Sequence, residues 1–466
     1  MLGECWAAVG GDAAALAGLE VTDPDRWLGG PLDTDGLAVG TAGAALLAAA
    51  ELAEARGLGR PAAAVSAEHL ALSFTSERHV RLAGAPAGGG FAALSRMLRC
   101  AGGGWARTHG NYRHHAAALC RALAIEPSVD ALEAAARSVT AEELEAAVVA
   151  AGGCAAALRS AEAWVAEGPG AAVARTPLVE WVSGAPPGSV VPRGEFGLVR
   201  SQAEQLRTRR AADAARPAAG LRVLDLTRVI AGPVAGRTLG ALGADVLRVD
   251  SPGLPEMREA HLDTGPGKRS ALLDLADEPA REALLARADV LLLGYRPGAL
   301  DRFGLGPEAL AARHPHLVTV SLSAWGHAGP WAGRRGFDSL VQVATGIAAA
   351  CAAPDGTPGV LPAQALDHGT GHLMAAAALR ALAARVRGEP ARSARLSLAR
   401  TAAALLAAPR PERERTAPTG AADHGRHRAR FGDLELIAPP GSLDSVPLAW
   451  AHGPHALGAD PPAWPA

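Results

Sequence analysis

Lysine, aromatic residues and net charge are all scarce in this chain of 466 residues. Lys268 is the only lysine among 45 basic residues, aromatic residues make up 4%, and the formal net charge is -2. A net charge this close to zero offers no long-range attraction for nucleic acid or for an anionic membrane surface. Because arginine replaces lysine almost everywhere, a basic residue on the surface carries little functional information by itself.

Paired cysteines and long apolar runs are also missing. The five cysteines are an odd number without a CxxC pair, which indicates a reducing compartment and neither a disulfide framework nor a zinc knuckle. Glu4 and Asp12 interrupt the N-terminal stretch where a signal peptide needs basic and then apolar residues. The longest uncharged stretch, 339–354, has 16 residues, below the roughly 18 to 20 of a membrane span. We therefore expect a cytoplasmic protein without a membrane segment.

The composition changes along the chain and predicts four regions. Residues 1–182 are mostly helical in pattern, with a capping box at Thr140-Ala-Glu-Glu143. A Gly/Pro-rich and then Arg/Ala-rich stretch, 183–219, is typical of a linker. Residues 220–408 form the most regular region, and 409–466 begin as a polar, breaker-rich connection that leads into a short tail.

The region from 220 onward alternates short apolar runs with helical patterns. The predicted strands are 221–226, 244–250, 270–275, 288–294 and 316–323, with Asp277 capping a helix between two of them. This alternation predicts an α/β fold in which a parallel sheet is covered by helices on both faces. Ligands bind at the carboxyl ends of such strands, so the loops that follow them are where a site is expected.

Three common nucleotide and hydrolase motifs are absent from those loops. Asp250 ends the second strand, where a ribose-binding acid would lie, but the first turn reads TRVIAGPVAG and lacks GxGxxG. Leu262 stands where a Walker loop ending in Lys268 requires glycine, and no GxSxG occurs. These patterns argue against an NAD enzyme, a P-loop protein and a serine hydrolase.

A second polar turn, from Asp367 to Gly371, leads directly into an Ala/Leu-rich helix. Free amide groups and the helix dipole at this position favour an ionised carboxylate, although an ordinary N-cap aspartate is the simpler interpretation. His368 and His372 have the spacing of HExxH, but the glutamate is missing and glycines intervene. No metal site is predicted.

Five consecutive blocks of the chain resemble one known family. They read LRVLDLTRVIAGPVAGRTLGALGADVLRVDSP, GKRSALLDL, ADVLLLGYRPGALDRFGLG, VTVSLSAWGHAGPWAGRRGFDSLVQVATG and ALDHGTGHLMAAAALRALAARVRG. In order and spacing they are similar to the family III CoA-transferases, the relatives of formyl-CoA and carnitine CoA-transferases, which also include the α-methylacyl-CoA racemases. The resemblance covers roughly 220 to 405 and implies a Rossmann-like, mostly parallel sheet in a CoA-binding domain, beside a largely helical N-terminal domain.

The resemblance implies a covalent mechanism in which CoA moves from an acyl-CoA to a carboxylic acid. Asp367, in the ALD block, corresponds to the family's nucleophile and would carry an aspartyl-CoA thioester. Coenzyme A would be a substrate rather than a permanent cofactor. Its implied contacts are Ile230, Ala231, Lys268, Leu273, Gly294, Tyr295, Arg296, Arg302 and Arg335.

Two alternatives stay open at this stage. The family's racemases resemble a GHD pattern in which the histidine moves a proton, whereas this chain has Phe337 between Gly336 and Asp338, and phenylalanine moves no proton. Transferase is therefore favoured over racemase. A CoA-binding but non-catalytic subunit is the other possibility, because the arrangement of the chain departs from the family pattern.

The N-terminal half supplies that departure. Residues 102–123 and 142–164 resemble the small domain that ordinarily follows the large one in this family. His109, His114 and His115 lie in the first of these segments and are left without an assigned role. Ser251 stands where some transferases have a basic residue, and the loop 84–90 is a weak substitute for the family's glycine-rich closing loop. The resemblance also implies a homodimer.

Overall fold

The computed structural model describes residues 1–183, 204, 206, 213–411 and 425–465. Most of the predicted linker, and most of the connection after 411, lie outside the described residues. In the first half of the chain the helices are α1 Leu2–Ala8, α2 Thr34–Ala55, α3 Ala67–Ser73, α4 Arg113–Leu123, α5 Val129–Arg137, α6 Ala141–Ala150, α7 Ala161–Ala166 and α8 Gly168–Ala174. In the second half they are α9 Ala231–Ala241, α10 Arg258–Thr264, α11 Glu278–Leu285, α12 Pro307–Arg313, α13 Asp338–Ala344, α14 Ile347–Ala350, α15 Ala365–Val386 and α16 Leu398–Ala407.

Strands are distributed over the whole described chain. The first eight are β1 Leu19–Thr22, β2 Ala63–Ser66, β3 Arg81–Leu82, β4 Ala85–Pro86, β5 Met97–Arg99, β6 Trp105–Thr108, β7 Ala155–Ala157 and β8 Glu180–Ser183. The next six are β9 Arg222–Leu226, β10 Asp245–Asp250, β11 Lys268–Leu272, β12 Val290–Leu293, β13 Val318–Ser323 and β14 Arg392–Ser397. The last four are β15 Arg428–Phe431, β16 Leu434–Ile437, β17 Ser442–Leu443 and β18 Val446–Pro447.

The largest sheet confirms the predicted α/β class. Its strand order is β11-β10-β9-β12-β13-β14-β8, and every neighbouring pair is parallel except β14 with β8. Without β8, this is the 3-2-1-4-5-6 order of a Rossmann fold. The five predicted strands correspond to β9 to β13, with boundaries within two or three residues. The strand order reverses between β9 and β12, which places a ligand crevice at the carboxyl ends of these two strands.

Short-range helix signals are also reproduced. Thr140 and Glu143 form the reciprocal capping box that begins α6. The Asp277 carboxylate accepts a hydrogen bond from the amide of Ala280 and so begins α11, with a proline in the first turn. Both signals depend on residues within one helical turn, which explains why the sequence alone predicts them.

The N-terminal half does not form its core separately from the large sheet. Helix α2 packs along α15, and both contribute to one apolar cluster that includes Leu47, Leu52, Leu373 and Leu379. Helix α2 is the one described helix that is long and apolar enough to cross a membrane. It is also near the N-terminus, and 89% of its apolar window is buried inside the protein. Burial against α15 accounts for its composition.

One part of the N-terminal half forms a compact α/β module, which we define as residues 94–157. The three-stranded sheet β5-β6-β7 and helices α4, α5 and α6 share an apolar cluster that includes Leu98, Leu119, Leu132 and Leu144. This module packs against helix α13, which directly follows Phe337 in the large region. It therefore stands at the carboxyl ends of the large sheet's strands.

The C-terminal segment, predicted as a tail, is tied to both halves of the protein. Strand β16 pairs with β3, and β17 pairs with β2. Farther along, the amide of Ser270 donates to the Asp460 carboxylate, and the amide of Asp460 donates to the carbonyl of Ser270. These bonds cover the outer edge of the large sheet at β11, where a bare edge would otherwise expose unpaired backbone groups.

Candidate functional site

A cleft of about 300 Å³ opens where the strand order of the large sheet reverses. The loop after β9 contributes Arg228, Val229 and Ala231, and the loop after β12 contributes Gly294, Tyr295 and Arg296. Other lining residues include Arg334, Arg335, Phe337 and Asp367 from the large region, and Tyr112, His114 and His115 from the N-terminal module. Two regions distant in sequence thus form one cleft.

Asp367 lies in the first turn of α15 and is the only carboxylate among the described residues that line the cleft. Its side chain is almost fully buried, with the residue 6% exposed. Burial, together with the nearby carboxylates of Asp338 and Glu77, raises its pKa well above the usual value. This direction is opposite to the expectation that the helix N-terminus holds this group ionised.

The carboxylate of Asp338 caps the helix that carries Asp367. The amide of Asp367 donates to Asp338 Oδ2 over 3.0 Å, while Gln342 Nε2 donates to Oδ1. Gln342 is itself fixed, since its Oε1 accepts a hydrogen bond of 2.9 Å from the amide of Leu361. Burial raises the pKa of Asp338 to about 6. The amide of Asp367 is therefore not free, because it is bonded to a neighbouring side chain.

The two glycines after Asp367, Gly369 and Gly371, permit close helix packing. A Cβ at Gly371 would lie 2.3 Å from the carbonyl oxygen of Ala231, in helix α9. A Cβ at Gly369 would lie 3.3 Å from Leu37, in helix α2. Asp367 thus has a fixed position between two packed helices.

His368 and His372 pack against an aromatic ring in the core. Both are buried, and the ring of Phe74 stacks on them with centroid distances of 5.1 and 5.9 Å. The nearest carboxylate oxygen, on Glu77, lies 3.9 Å from His368 Nε2. Among the described residues no group of three or more metal-ligating side chains occurs.

The structure brings five of the nine predicted CoA contacts to the cleft. Ala231, Gly294, Tyr295, Arg296 and Arg335 all line it. The side chains of Arg296 and Arg335 are exposed, which leaves their guanidinium groups accessible to an anionic ligand. Ile230, at the N-cap of α9, is adjacent to the lining residue Ala231 but does not line the cleft itself.

The structure places the other three predicted contacts elsewhere. Lys268 is 1% exposed, and its ammonium donates to Asp225 Oδ2 and to the carbonyl of Pro233, each over 2.8 Å. Leu273 is 6% exposed and belongs to an apolar cluster on the other side of β11. Arg302 is exposed and lies over the ring of Phe303 at 4.6 Å, beside a separate surface depression. In this structure none of the three side chains reaches the cleft.

The loop after β9 is held by a buried charge network that sequence reasoning missed. Arg248 is bonded to Asp250 and Glu256 at 2.9 and 3.1 Å, and all three are buried. Glu256 also accepts from the amide of Val229 over 2.8 Å, where Val229 has a φ of 69°. A positive φ strains a β-branched residue, so the network holds this loop in a conformation it would not adopt by itself. Asp250 is thus bonded to Arg248 rather than free for a ribose.

The N-terminal module completes the wall of the cleft. Tyr112 donates its hydroxyl hydrogen to Glu256 Oε1 over 2.8 Å, which ties helix α4 to the loop network. The ring of His109 stacks on Phe337 with centroids 3.6 Å apart and planes 7° apart. His114 and His115 line the cleft itself. In the sequence, the one sign of this wall was the polar stretch GNYRHH, which runs into the first turn of helix α4. No local pattern related that stretch to Asp367.

The fold and the site together describe one class of protein. It is an α/β protein with a buried carboxylate in an arginine-lined crevice, at the point where the strand order of its parallel sheet reverses. The sequence profile of CoA-transferase family III matches residues 219–432. This segment, which contains Asp367 and every predicted CoA contact, belongs to that family.

Several curated proteins are similar to part of this chain. The "probable fatty acyl-CoA transferase" of Mycobacterium tuberculosis is 38% identical over 189 residues, which are 37% of this chain and 48% of that protein. The succinyl-CoA–D-citramalate CoA-transferase of Chloroflexus aurantiacus is 31% identical over 252 residues, 50% of this chain and 60% of that protein. The chain therefore spans only about half to three-fifths of the length of these relatives.

Two solved structures are also similar in sequence to part of this chain. A hypothetical protein from Mycobacterium tuberculosis is 37% identical with a TM-score of 0.38, over 41% of this chain and 58% of that chain. A CaiB/BaiF family protein from Brucella suis is 31% identical with a TM-score of 0.38, over 41% of this chain and 56% of that chain.

Proposed function

We propose that this chain transfers CoA from an acyl-CoA to a carboxylic acid through an aspartyl-CoA thioester on Asp367. The observation that carries the proposal is the position of Asp367, a buried carboxylate that lines a cleft together with several arginines and lies within the family-matched segment. Proteins similar to part of this chain include an acetyl-CoA:oxalate CoA-transferase of Acetobacter aceti and a formyl-CoA:oxalate CoA-transferase of Rhodopseudomonas palustris.

The charges around the cleft suit an anionic ligand such as coenzyme A. Arg228, Arg296, Arg334 and Arg335 line it, against the single carboxylate of Asp367. Guanidinium groups bind phosphate oxygens through charge-assisted hydrogen bonds. Arg334 pairs with Glu145, and Arg228 lies 3.6 Å from Glu256 and donates to the carbonyl of Pro255. Arg296 and Arg335 are therefore the stronger candidates for phosphate contacts.

The chemistry needs only the carboxylate and the two substrates. Asp367 attacks the acyl carbonyl of the acyl-CoA, which yields a mixed anhydride and the CoA thiolate. The thiolate then attacks the aspartyl carbonyl, releases the first acid and forms the thioester. An acceptor carboxylate runs the same two steps in reverse. Because the attacking form is ionised, the raised pKa of Asp367 makes thioester formation faster as pH rises through that pKa.

Mass spectrometry of the trapped intermediate tests the proposal. The full chain is incubated with a panel of acyl-CoA donors, quenched with acid, digested and searched for a CoA adduct on the peptide containing Asp367. Asp367→Asn, which keeps the size of the side chain, is the matched control and should give no adduct. If no donor labels Asp367 while CoA still binds, the chain is a non-catalytic subunit. Exchange of the α-proton in deuterated water without an adduct would instead indicate a racemase.

We also propose that the chain works as a homodimer, as the family resemblance implies, and that it is cytoplasmic, as its cysteine usage indicates. Light scattering coupled to gel filtration tests the first point, because a homodimer doubles the 47.1 kDa mass of the chain. A monomer that carries full transferase activity would overturn it. Fractionation of the source cells tests the second point.

A further inference from the structure

One wall of the cleft has no role in the mechanism proposed above. It is formed by the start of helix α4, where Tyr112, His114 and His115 face the same space as Asp367. The implied CoA contacts that reach the cleft all belong to the large region. The N-terminal module therefore adds ligand-facing groups of its own to this site.

His115 is held firmly in this wall. Its residue is 5% exposed, and its ring makes edge contacts with Phe337 at 5.7 Å and with Tyr112 at 5.6 Å. Tyr112 is in turn anchored by its hydrogen bond to Glu256 and by the guanidinium of Arg228 over its ring at 4.9 Å. A side chain held between two anchored rings is suited to positioning a ligand, because little further ordering is needed on binding.

The imidazole of His115 is not satisfied by the protein. Its Nδ1 is buried and finds no hydrogen-bond partner among the residues that the structure describes. Buried polar atoms are normally hydrogen-bonded, so an unpartnered one beside a cleft points to a ligand. His114 lies next to it, with ring centroids 4.0 Å apart, and its side chain is exposed to the cleft.

Charge determines which ligand fits this pair. Burial and the nearby guanidinium groups of Arg335 and Arg228 lower the pKa of His115 to about 3 and also lower the pKa of His114. Both rings are therefore neutral near pH 7, and a neutral imidazole donates one N–H. Neutral donors surrounded by guanidinium groups favour a small carboxylate over a cation or an apolar group.

We propose that His114 and His115 bind the carboxylate of the acceptor acid next to Asp367, so that the N-terminal module determines which acid receives CoA. This inference rests on the proposed function. In the step concerned, a carboxylate oxygen of the acceptor attacks the carbonyl of the Asp367 thioester, and the C–S bond breaks as CoA leaves as the thiolate. The thiolate then attacks the acceptor's carbonyl carbon in the mixed anhydride, and the bond to Asp367 oxygen breaks. The products are the new acyl-CoA and the free Asp367 carboxylate, with no net proton transfer.

The two half-reactions can be measured separately, and only the second one uses the acceptor acid. In the double variant His114→Ala/His115→Ala, we expect CoA labelling of Asp367 by acyl-CoA to stay within about twofold of wild type. The KM for the carboxylate acceptor should rise roughly tenfold to a hundredfold, the loss expected for charge-assisted hydrogen bonds. His115→Gln, which retains an N–H donor, should recover part of this loss, whereas a purely structural role would not distinguish it from alanine.

Arg121→Ala is the matched control, because Arg121 is exposed on the same helix and does not line the cleft. It should leave both half-reactions unchanged. An unchanged acceptor KM in a folded double variant overturns the inference, as does an equal loss of labelling and acceptor use. If the double variant does not fold, the single variant His114→Ala provides the same comparison, since His114 is exposed.

A binding measurement keeps this inference distinct from the proposed function. Succinate and acetate are titrated into the wild-type chain and into the double variant, with CoA present. Binding that is lost in the double variant supports the inference even if wild type never labels Asp367, an outcome that would sink only the proposed function. Equal binding by both proteins overturns the inference whatever the labelling shows.

Discussion

Replacement of Lys268 by methionine tests whether this residue forms a structural ion pair or contacts CoA. The Lys268 ammonium lies 2.8 Å from Asp225 Oδ2, and the two side chains are 1% and 0% exposed. At an effective dielectric constant of about 20, two charges 2.8 Å apart attract each other by about 6 kcal/mol, from 332/(20 × 2.8). Lys268→Met removes this attraction and leaves the Asp225 charge buried without its cation.

The net effect on stability is smaller than the attraction, because burying the ammonium is costly. Burial outweighs the attraction of Asp225 and lowers the pKa of Lys268 to about 8. Breaking a buried pair by removing one partner typically destabilises a protein by about 3–5 kcal/mol. We expect a loss of this size in the free energy of unfolding of Lys268→Met, a large part of the roughly 5–15 kcal/mol of a typical domain.

The pKa of Lys268 also predicts a dependence on pH. A lysine whose pKa is lowered in the folded state binds fewer protons there than in the unfolded chain. Its contribution therefore makes wild type more stable as pH rises from about 8 to about 10.5. Lys268→Met lacks this contribution, so the slopes of stability against pH should differ between the two proteins in that window only.

Urea unfolding followed by tryptophan fluorescence measures the stability, and calorimetric titration with CoA at low urea measures the affinity. Arg302→Met is the matched control, because Arg302 is an exposed cation and its removal should change stability by no more than about 0.5 kcal/mol. We expect folded Lys268→Met to bind CoA with an affinity close to that of wild type. A stability loss below about 1 kcal/mol together with a tenfold weaker affinity would refute the reasoning and make Lys268 a CoA contact.

Three further changes test the site and its supports. Asp338→Asn removes a carboxylate that raises the pKa of Asp367, so the pH profile of thioester formation should move to lower pH; an unmoved profile contradicts this. Glu256→Gln removes a carboxylate whose pKa is lowered to about 2 and whose contribution to stability is lost as pH falls from about 4.5 to 2. When acid unfolding is followed by tryptophan fluorescence, the stability of Glu256→Gln should therefore fall less steeply than that of wild type between about pH 4.5 and pH 2. Gly371→Ala forces a Cβ against the carbonyl oxygen of Ala231 in helix α9 and should lower the free energy of unfolding by roughly 1–3 kcal/mol. The control is Gly253→Ala, because a Cβ there meets no atom within 4 Å. In the same urea assay it should be near neutral.

Strand positions and helix starts in the large region could be predicted because their causes are local. Strands β9 to β13 are short apolar runs bounded by turns, and the capping residues Thr140 and Asp277 act within a single helical turn. The alternation of strands and helices was enough to predict a parallel sheet and a site at its carboxyl ends. The sequence did not predict that β8, from the N-terminal half, pairs with β14 and extends this sheet.

The candidate site was predictable only in part. Asp367, Tyr295 and Arg296 were selected by resemblance, and the structure places all three at the cleft. Lys268 was selected in the same way, but it points into the core, because its neighbours Asp225 and Pro233 lie on elements that only folding brings together. A sequence motif specifies which residue stands at a position and not which way its side chain faces.

Sequence patterns were enough to predict the class of fold, the family resemblance of residues 220–405 and Asp367 as the candidate nucleophile. These depend on periodicity and on motifs read within short segments. The folded chain was needed to show that Asp338 caps the helix of Asp367. It was also needed to show that His114 and His115 line the same cleft as Asp367, some 250 positions away in the chain. The contacts of the histidines come from the packing of the N-terminal module on helix α13. The ionisation of Asp367 depends on burial and on neighbouring charges, which no local sequence pattern encodes.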